Sequence, residues 1–143
     1  MTPRIVVDTN VLVAAMISSA GVNRSVLRAC LLGRAEPIIG EALFLEYEDL
    51  LARPKLMARS PLSAEQRKTV VEAFLSVCDW VDVYFGWRPN LREESDNHLI
   101  ELAVAGGASY IVTSNVRDLK GGELQFPQFR VVRPNEFMKE GIQ

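Results

Sequence analysis

The feature of this chain that most limits its fold is a repeated switch between strand-like and helix-like spacing of apolar residues. The strand segments are Ile5–Asp8, Pro37–Gly40, "VDVYF", "SYIVTS" and "FRVV". The helical segments are Asn23–Arg34, Glu41–Arg53, the stretch that follows the capping box "SAEQ" at Ser63, Ser95–Ala105 and "PNEFMKE". This alternation predicts one α/β domain over residues 1–143, a compact parallel β-sheet sandwiched by helices in three layers.

Composition narrows the class of protein further. Hydrophobic residues make up 48% of the chain and charged residues 24%, as in soluble globular proteins, and no apolar stretch is long enough to predict a membrane span. Cys30 and Cys78 lie beside apolar neighbours, which favours free buried thiols and a reducing cytoplasm. With a net charge of −2, the chain would need a local basic patch to bind nucleic acid.

One carboxylate interrupts the apolar segment "RIVVDTNVLVAA". Asp8 follows a strand that reads as buried on both faces, and Val11, Leu12 and Val13 continue the apolar run. A buried unpaired carboxylate costs several kcal/mol, which is comparable to the net stability of a domain. Working sites of parallel sheets lie beyond the carboxyl ends of their strands, so Asp8 is a candidate functional residue.

Two further acids are predicted to point inward from helices. At 100° per residue, Glu46 lies one step from the stripe that holds Leu43 and Tyr47, whereas Glu48 falls on the opposite side. Asp96 aligns with the core face of its helix. Each acid also has an ordinary interpretation, Glu46 as a boundary residue with a solvated carboxylate and Asp96 as a helix cap.

Asp96 shares its helix with His98 and Glu101. Its core face is made by Leu99, Ile100 and Ala103. His98 and Glu101 are predicted to point away from that face and from the acids, which makes His98 an ordinary surface residue.

A fourth polar cluster ends the strand in "IVTSNVRDL". Thr113, Ser114, Asn115 and Asp118 could form a simple turn. Acids from separate elements that meet in one cleft repel each other unless a cation neutralises them. Oxygen ligands without Cys or His favour Mg²⁺ or Mn²⁺, and such a metal site suits phosphodiester hydrolysis.

These segments resemble the PIN domain, and within it the toxin branch of toxin–antitoxin pairs that is akin to VapC toxins. The similarity is carried nearly end to end by "VVDTNVLVAA", "EYEDLLARPKL", "SDNHLIELAVAGGASYIVTSNVRDL" and "FRVVRPNEF". The resemblance implies a metal-dependent ribonuclease with a compact parallel α/β sheet. It also implies a homodimer and a cognate antitoxin protein that holds the toxin inactive.

The resemblance assigns roles to individual positions. Asp8, Glu46 and Asp96 match the first three family acids, and Asn10 matches an asparagine that supports the first of them. Thr113 or Ser114 matches the small hydroxyl residue before the last acid, with Ser114 taken as the supporting residue.

The last acid is where the chain departs from the family pattern. Asn115 stands where many members have aspartate, and Asp118 is the candidate substitute. An amide cannot carry charge, so one Mg²⁺ on Asp8 and Asp96 is expected, with Glu46 near its waters or as proton acceptor.

Contacts to an RNA substrate are weakly specified by the sequence. Trp80 and Trp87 could stack on bases or pack within the protein. The basic candidates, each of which could equally be a solvated surface charge, are Arg24, Arg28, Arg53, Lys55, Arg59, Arg67 and Lys68.

Two other classes of protein remain open. One is a phosphatase of the haloacid-dehalogenase type, disfavoured because Asn10 stands where that class has a second aspartate and Lys120 is poorly placed. The other is a degenerate PIN-like module that binds RNA or a partner protein without cleavage.

Overall fold

The computed structural model describes residues 2–18, 21–83, 97–120 and 128–142. Strands in this part of the chain form one parallel sheet in the order β3-β2-β1-β4-β5. They are β1 (Arg4–Val7), β2 (Glu36–Ile39), β3 (Asp79–Trp80), β4 (Tyr110–Val112) and β5 (Arg130–Val132). Helices flank the sheet, which confirms the predicted α/β/α class.

The described helices are α1 (Thr9–Ile17), α2 (Val22–Leu31), α3 (Glu41–Leu51), α4 (Pro54–Met57), α5 (Ala64–Val77), α6 (Asn97–Gly106), α7 (Val116–Lys120) and α8 (Pro134–Glu140). Helices α1 to α7 lie in the connections between the strands, and α8 follows β5. No single helix of the described residues is long and apolar enough to cross a membrane; α1 and α2 pass that test only as a bent pair, by length and composition.

Strand β1 lies at the centre of the sheet, paired with β2 on one side and β4 on the other. Residues 5–7 are buried, as expected for a parallel strand covered on both faces, and Val7 is in register with Val112. The buried Tyr47 of α3 donates its hydroxyl hydrogen to the carbonyl oxygen of Val7. This bond attaches α3 to the end of β1 from which the site is built.

Helix α1 is an element that the apolar spacing did not predict, and Val11, Leu12 and Val13 of the apolar run lie within it. Most residues of α1 are buried, so the helix shows no polar face with a period of 3.6 residues. The sequence feature that marks the start of α1 is its N-cap residue. Asp8 has extended backbone angles, and its carboxylate accepts a hydrogen bond from the amide of Thr9.

Three other boundaries differ from the sequence prediction. Strand β3 ends at Trp80, before the predicted "VDVYF", although the amide of Val81 still bonds to the carbonyl of Ile39 at 2.7 Å. After Arg53, where the predicted helix ends, the chain forms the additional short helix α4, with its proline in the first turn, where the missing N–H costs nothing. Part of the predicted turn around Asp118 is α7.

Several local predictions are confirmed. Ser63 and Gln66 form both bonds of the capping box at the start of α5. The segment "PNEFMKE" is α8, with the predicted bounds. Cys30 and Cys78 are free thiols, the first buried and the second partly so.

Candidate functional site

The candidate site lies where the order of the strands reverses. The chain passes from β1 outward through β2 to β3, and then returns to place β4 on the other side of β1. Ligand sites of open parallel sheets lie at such a switch point, beyond the carboxyl ends of the strands. Asp8 and Thr113 are the first residues past β1 and β4, and the amide of Asp8 bonds to the carbonyl of Val112 at 2.9 Å.

Asp8 is 6% exposed, and both oxygens of its carboxylate accept hydrogen bonds from neutral donors. Oδ1 accepts from the amide of Thr9 at 2.7 Å. Oδ2 accepts from the hydroxyl of Thr113 at 2.6 Å and from the side-chain amide of Asn10 at 3.2 Å. Burial raises the pKa of Asp8 above its usual value, while the bonds from Thr113 and Thr9 act in the opposite direction.

The segment after β4 is organised around the hydroxyl of Thr113. This residue is 0% exposed, and its oxygen also accepts from the backbone amide of Asn115 at 2.9 Å. The backbone amide of Ser114 donates to Oδ1 of Asn10 at 3.2 Å. Of the two hydroxyl residues that the sequence offered, Thr113 is therefore the one that reaches Asp8; Ser114 is exposed and contributes only its backbone amide.

Glu46 joins this cluster from α3, on the inward side predicted from helical spacing. Its Oε1 accepts from the hydroxyl of Thr9 at 2.5 Å. Because Thr9 directly follows Asp8 in the chain, this bond ties Glu46 to the end of β1. Its Oε2 lies 3.1 Å from Nε2 of His98. The hydrogen bond from His98 is the largest of the effects that lower the pKa of Glu46, and Glu46 is ionised at neutral pH.

The contact with Glu46 corrects the prediction for His98, which the helical wheel placed on the surface and away from the acids. A helical wheel gives the direction of a side chain around the helix axis, relative to the apolar face of the same helix. It does not show that the first turn of α6 lies beside α3, which is what brings His98 to Glu46.

Two of the predicted acids cannot be placed. Asp96 lies outside the described residues. Asp118 falls within α7, but its side chain lies outside the description.

A cavity of about 380 Å³ opens onto the cluster. Asp8, Glu46 and Asn115 contribute to its lining, as do the apolar residues Leu50 and Leu56. The cavity therefore offers oxygen ligands beside a surface that contributes no charge. Asn115 borders the space where a fourth acid would lie in the family pattern, but it supplies an amide there.

The donor set fits a hard divalent cation in part. The oxygens of Asp8 and Glu46 are the ligand type that Mg²⁺ and Mn²⁺ prefer, and all three donors to Asp8 are uncharged, so its negative charge suits a cation in the cavity. Within the described residues, no three His, Cys, Asp or Glu side chains are grouped closely enough to hold a metal ion by themselves. A complete ligand set would need Asp96 or water molecules.

Several of the residues that were candidates for RNA contacts interact with other residues of the chain. Arg24 donates to the carbonyl of Ala15, and Arg53 pairs with Asp49 on the surface of α3. Trp80 is 51% exposed, and its ring meets that of Phe44 edge-on at 5.9 Å. Trp87 lies outside the described residues.

The parallel α/β architecture, with an oxygen-rich cluster beyond the carboxyl ends of β1 and β4, defines a class of α/β proteins with a candidate divalent-cation site at the switch point of the sheet. The PIN domain family matches residues 4–117, and the chain belongs to this family. PIN domains are generally nucleases, and those nucleases generally use divalent metal ions.

The solved structures give a similar fold. One chain of the crystal structure of VapBC2 from Rickettsia felis, bound to a DNA fragment from their promoter, superposes with a TM-score of 0.60. The match has 16% sequence identity and covers 91% of this chain and 98% of that one. No curated protein sequence matches the chain.

Proposed function

We propose that this protein is a divalent-metal-dependent ribonuclease and the toxin of a toxin–antitoxin pair. The observation that carries the proposal is the cluster at the end of β1. There a buried carboxylate, held only by neutral donors, is linked through Thr9 to a second, ionised carboxylate. Membership of the PIN domain family supports the nuclease chemistry.

Each residue of the cluster has a distinct part in this proposal. Asp8, and Asp96 by the family resemblance, would hold Mg²⁺ or Mn²⁺. When bound, the cation supplies charge neutralisation at the scissile phosphate and lowers the pKa of an attacking water. Glu46 is ionised at neutral pH, so it can accept the proton that this water loses.

Thr113 and Asn10 keep the carboxylate of Asp8 in one orientation through their two bonds to Oδ2. Asn115, which borders the cavity, can orient a water molecule but adds no charge. The proposed site therefore holds one cation.

The test is cleavage of a labelled single-stranded RNA in Mg²⁺ or Mn²⁺, compared with the same reaction in EDTA. Glu46→Gln is expected to lower the rate by about 10²–10⁴-fold, the usual contribution of proton transfer by a positioned side chain. Asp8→Asn removes the negative charge that would hold the cation, and it is expected to lower the rate at least as much. Glu48→Gln is the matched control, because Glu48 lies on the exposed side of the same helix. Cleavage by the Asp8→Asn variant at the parent rate would refute the proposal.

A module that binds RNA without cutting it is the second candidate, and Asn115 is the observation that favours it. An amide in place of an acid removes one charge from the expected metal site. Retained RNA binding with no cleavage in either metal would support this candidate over the nuclease. Such binding should weaken steeply with salt if phosphate contacts dominate it.

The toxin assignment draws on the fold shared with a chain of the VapBC2 complex. Expression of the chain alone is expected to arrest growth, and co-expression of the product of a small adjacent gene should relieve the arrest. Normal growth with an active nuclease in the cell would refute the toxin role alone.

We further propose that the protein acts as a homodimer in the cytoplasm. Free Cys30 and Cys78 suit a reducing compartment. Light scattering after size exclusion should give twice the chain mass of 15.9 kDa.

A further inference from the structure

Both carboxylate oxygens of Glu46 have a partner, and the two partners come from one helix that precedes α3 in the sequence and one that follows it. The Thr9 hydroxyl at the start of α1 donates to Oε1 at 2.5 Å. The His98 ring in the first turn of α6 contacts Oε2 at 3.1 Å. Because an ionised carboxylate only accepts hydrogen bonds, Nε2 of His98 carries the hydrogen in this contact.

The arrangement differs from a surface ion pair in what surrounds it. Thr9 is buried, and the side chain of His98 is only 19% exposed, so neither donor is free to move away from Glu46. The side chain of Glu46 itself is 36% exposed, where an unrestrained glutamate would sample several rotamers. Two fixed donors from two other elements leave Glu46 one orientation, toward the cavity that it shares with Asp8.

We propose that Thr9 and His98 are positioning residues that act through Glu46 and hold its carboxylate where it accepts the proton of the attacking water. The role rests on the proposed ribonuclease function and deepens it. Neither residue touches the RNA or the cation in this account. Their effect is to keep a long side chain in the reactive orientation, which partners of catalytic groups commonly do.

The experiment compares pairs of variants that differ only in the hydrogen-bond donor. His98→Gln keeps an N–H at about the same reach, whereas His98→Met has similar length and no donor. Thr9→Ser keeps the hydroxyl, whereas Thr9→Val has the shape of threonine without it. Circular dichroism and thermal unfolding identify any variant that fails to fold, and all rates are compared at one neutral pH.

The donor-free variants, His98→Met and Thr9→Val, are expected to lose about 10–100-fold in kcat, the usual cost of removing a supporting partner. KM for the RNA should change little, because neither residue contacts it. His98→Gln and Thr9→Ser should recover most of the lost rate. In a Glu46→Ala background, His98→Met should cause no further loss in single-turnover cleavage, because the carboxylate on which it acts is gone.

Two results would overturn the role while leaving the nuclease proposal intact. The first is a His98→Met variant that cuts RNA as fast as the parent. The second is a further loss from His98→Met in the Glu46→Ala background, which would show that His98 acts independently of Glu46. A parent protein that leaves RNA intact in both metals overturns the ribonuclease proposal, and this role with it.

Discussion

The substitution Thr113→Val isolates one bond at the centre of the site. Valine has nearly the shape of threonine, so the packing around this fully buried side chain is kept while the hydroxyl is lost. The change removes the 2.6 Å bond to Oδ2 of Asp8 and the acceptor for the amide of Asn115. A hydrogen bond to a charged group contributes about 1.5–3 kcal/mol, so we expect a loss of about 2 kcal/mol in the free energy of unfolding at neutral pH.

The pH dependence of this loss follows from the pKa of Asp8. Burial raises that pKa, so protonation of Asp8 adds stability at low pH that is lost as the pH rises through the folded-state pKa. The bond from Thr113 lowers the pKa of Asp8, and its removal therefore raises the pKa further and increases the loss at neutral pH. The cost of Thr113→Val should shrink as the pH falls and Asp8 becomes protonated in the parent as well.

Calorimetry in EDTA measures the effect without a bound cation. For a chain of this size, about 2 kcal/mol corresponds to a fall of about 6 °C in Tm. Thr113→Ser is the control, because it keeps the hydroxyl and loses a buried methyl group, at a cost of about 1 kcal/mol that does not depend on pH. A difference between the valine and serine variants that stays constant from pH 7.5 to pH 4 would show that the hydroxyl does not stabilise the charged carboxylate.

Three further substitutions or modifications test the fold around the site. Tyr47→Phe leaves the carbonyl of Val7 without its buried donor and should cost about 1–3 kcal/mol in urea unfolding; an unchanged midpoint would contradict the bond. Ser63→Ala should cost about 1 kcal/mol by removing the cap of α5, and Ser63→Asp should restore it in thermal unfolding. Burial raises the pKa of the Cys30 thiol from 9.0 to about 12, so its alkylation at pH 8 should be about a thousandfold slower in the folded protein than in guanidinium; equal rates would place it at the surface.

The sequence predicts the class of fold well because strands covered on both faces read as short continuous apolar runs, whereas helices with one exposed face have an apolar period of 3.6 residues. Helix α3 shows this: Leu43 and Tyr47 are buried, Glu48 is exposed, and Glu46 lies at the boundary, as its spacing predicts. Apolar periodicity does not predict helix α1, because burial on most sides leaves this helix without a polar face. Its N-cap, Asp8, is a local signal that would have marked its start.

The site could be predicted in part for a related reason. Asp8 and the polar cluster after β4 are found because parallel strands end at a common edge, a rule that needs no knowledge of side-chain contacts. His98 is missed because its contact with Glu46 depends on how α6 and α3 are placed relative to each other, which the spacing within one helix does not specify. The choice between Thr113 and Ser114 likewise depends on which hydroxyl faces the sheet interior.

The central place of β1 has a consequence for the newly made protein. Among the described strands β1 is synthesised before the others, yet its neighbour β4 follows only after β2 and β3. Until then Asp8 lacks the hydroxyl of Thr113, and Glu46 lacks the ring of His98. A chain that has not yet been made as far as Thr113 therefore cannot assemble the cluster, and the chemistry of this site can appear only after β4 has been synthesised.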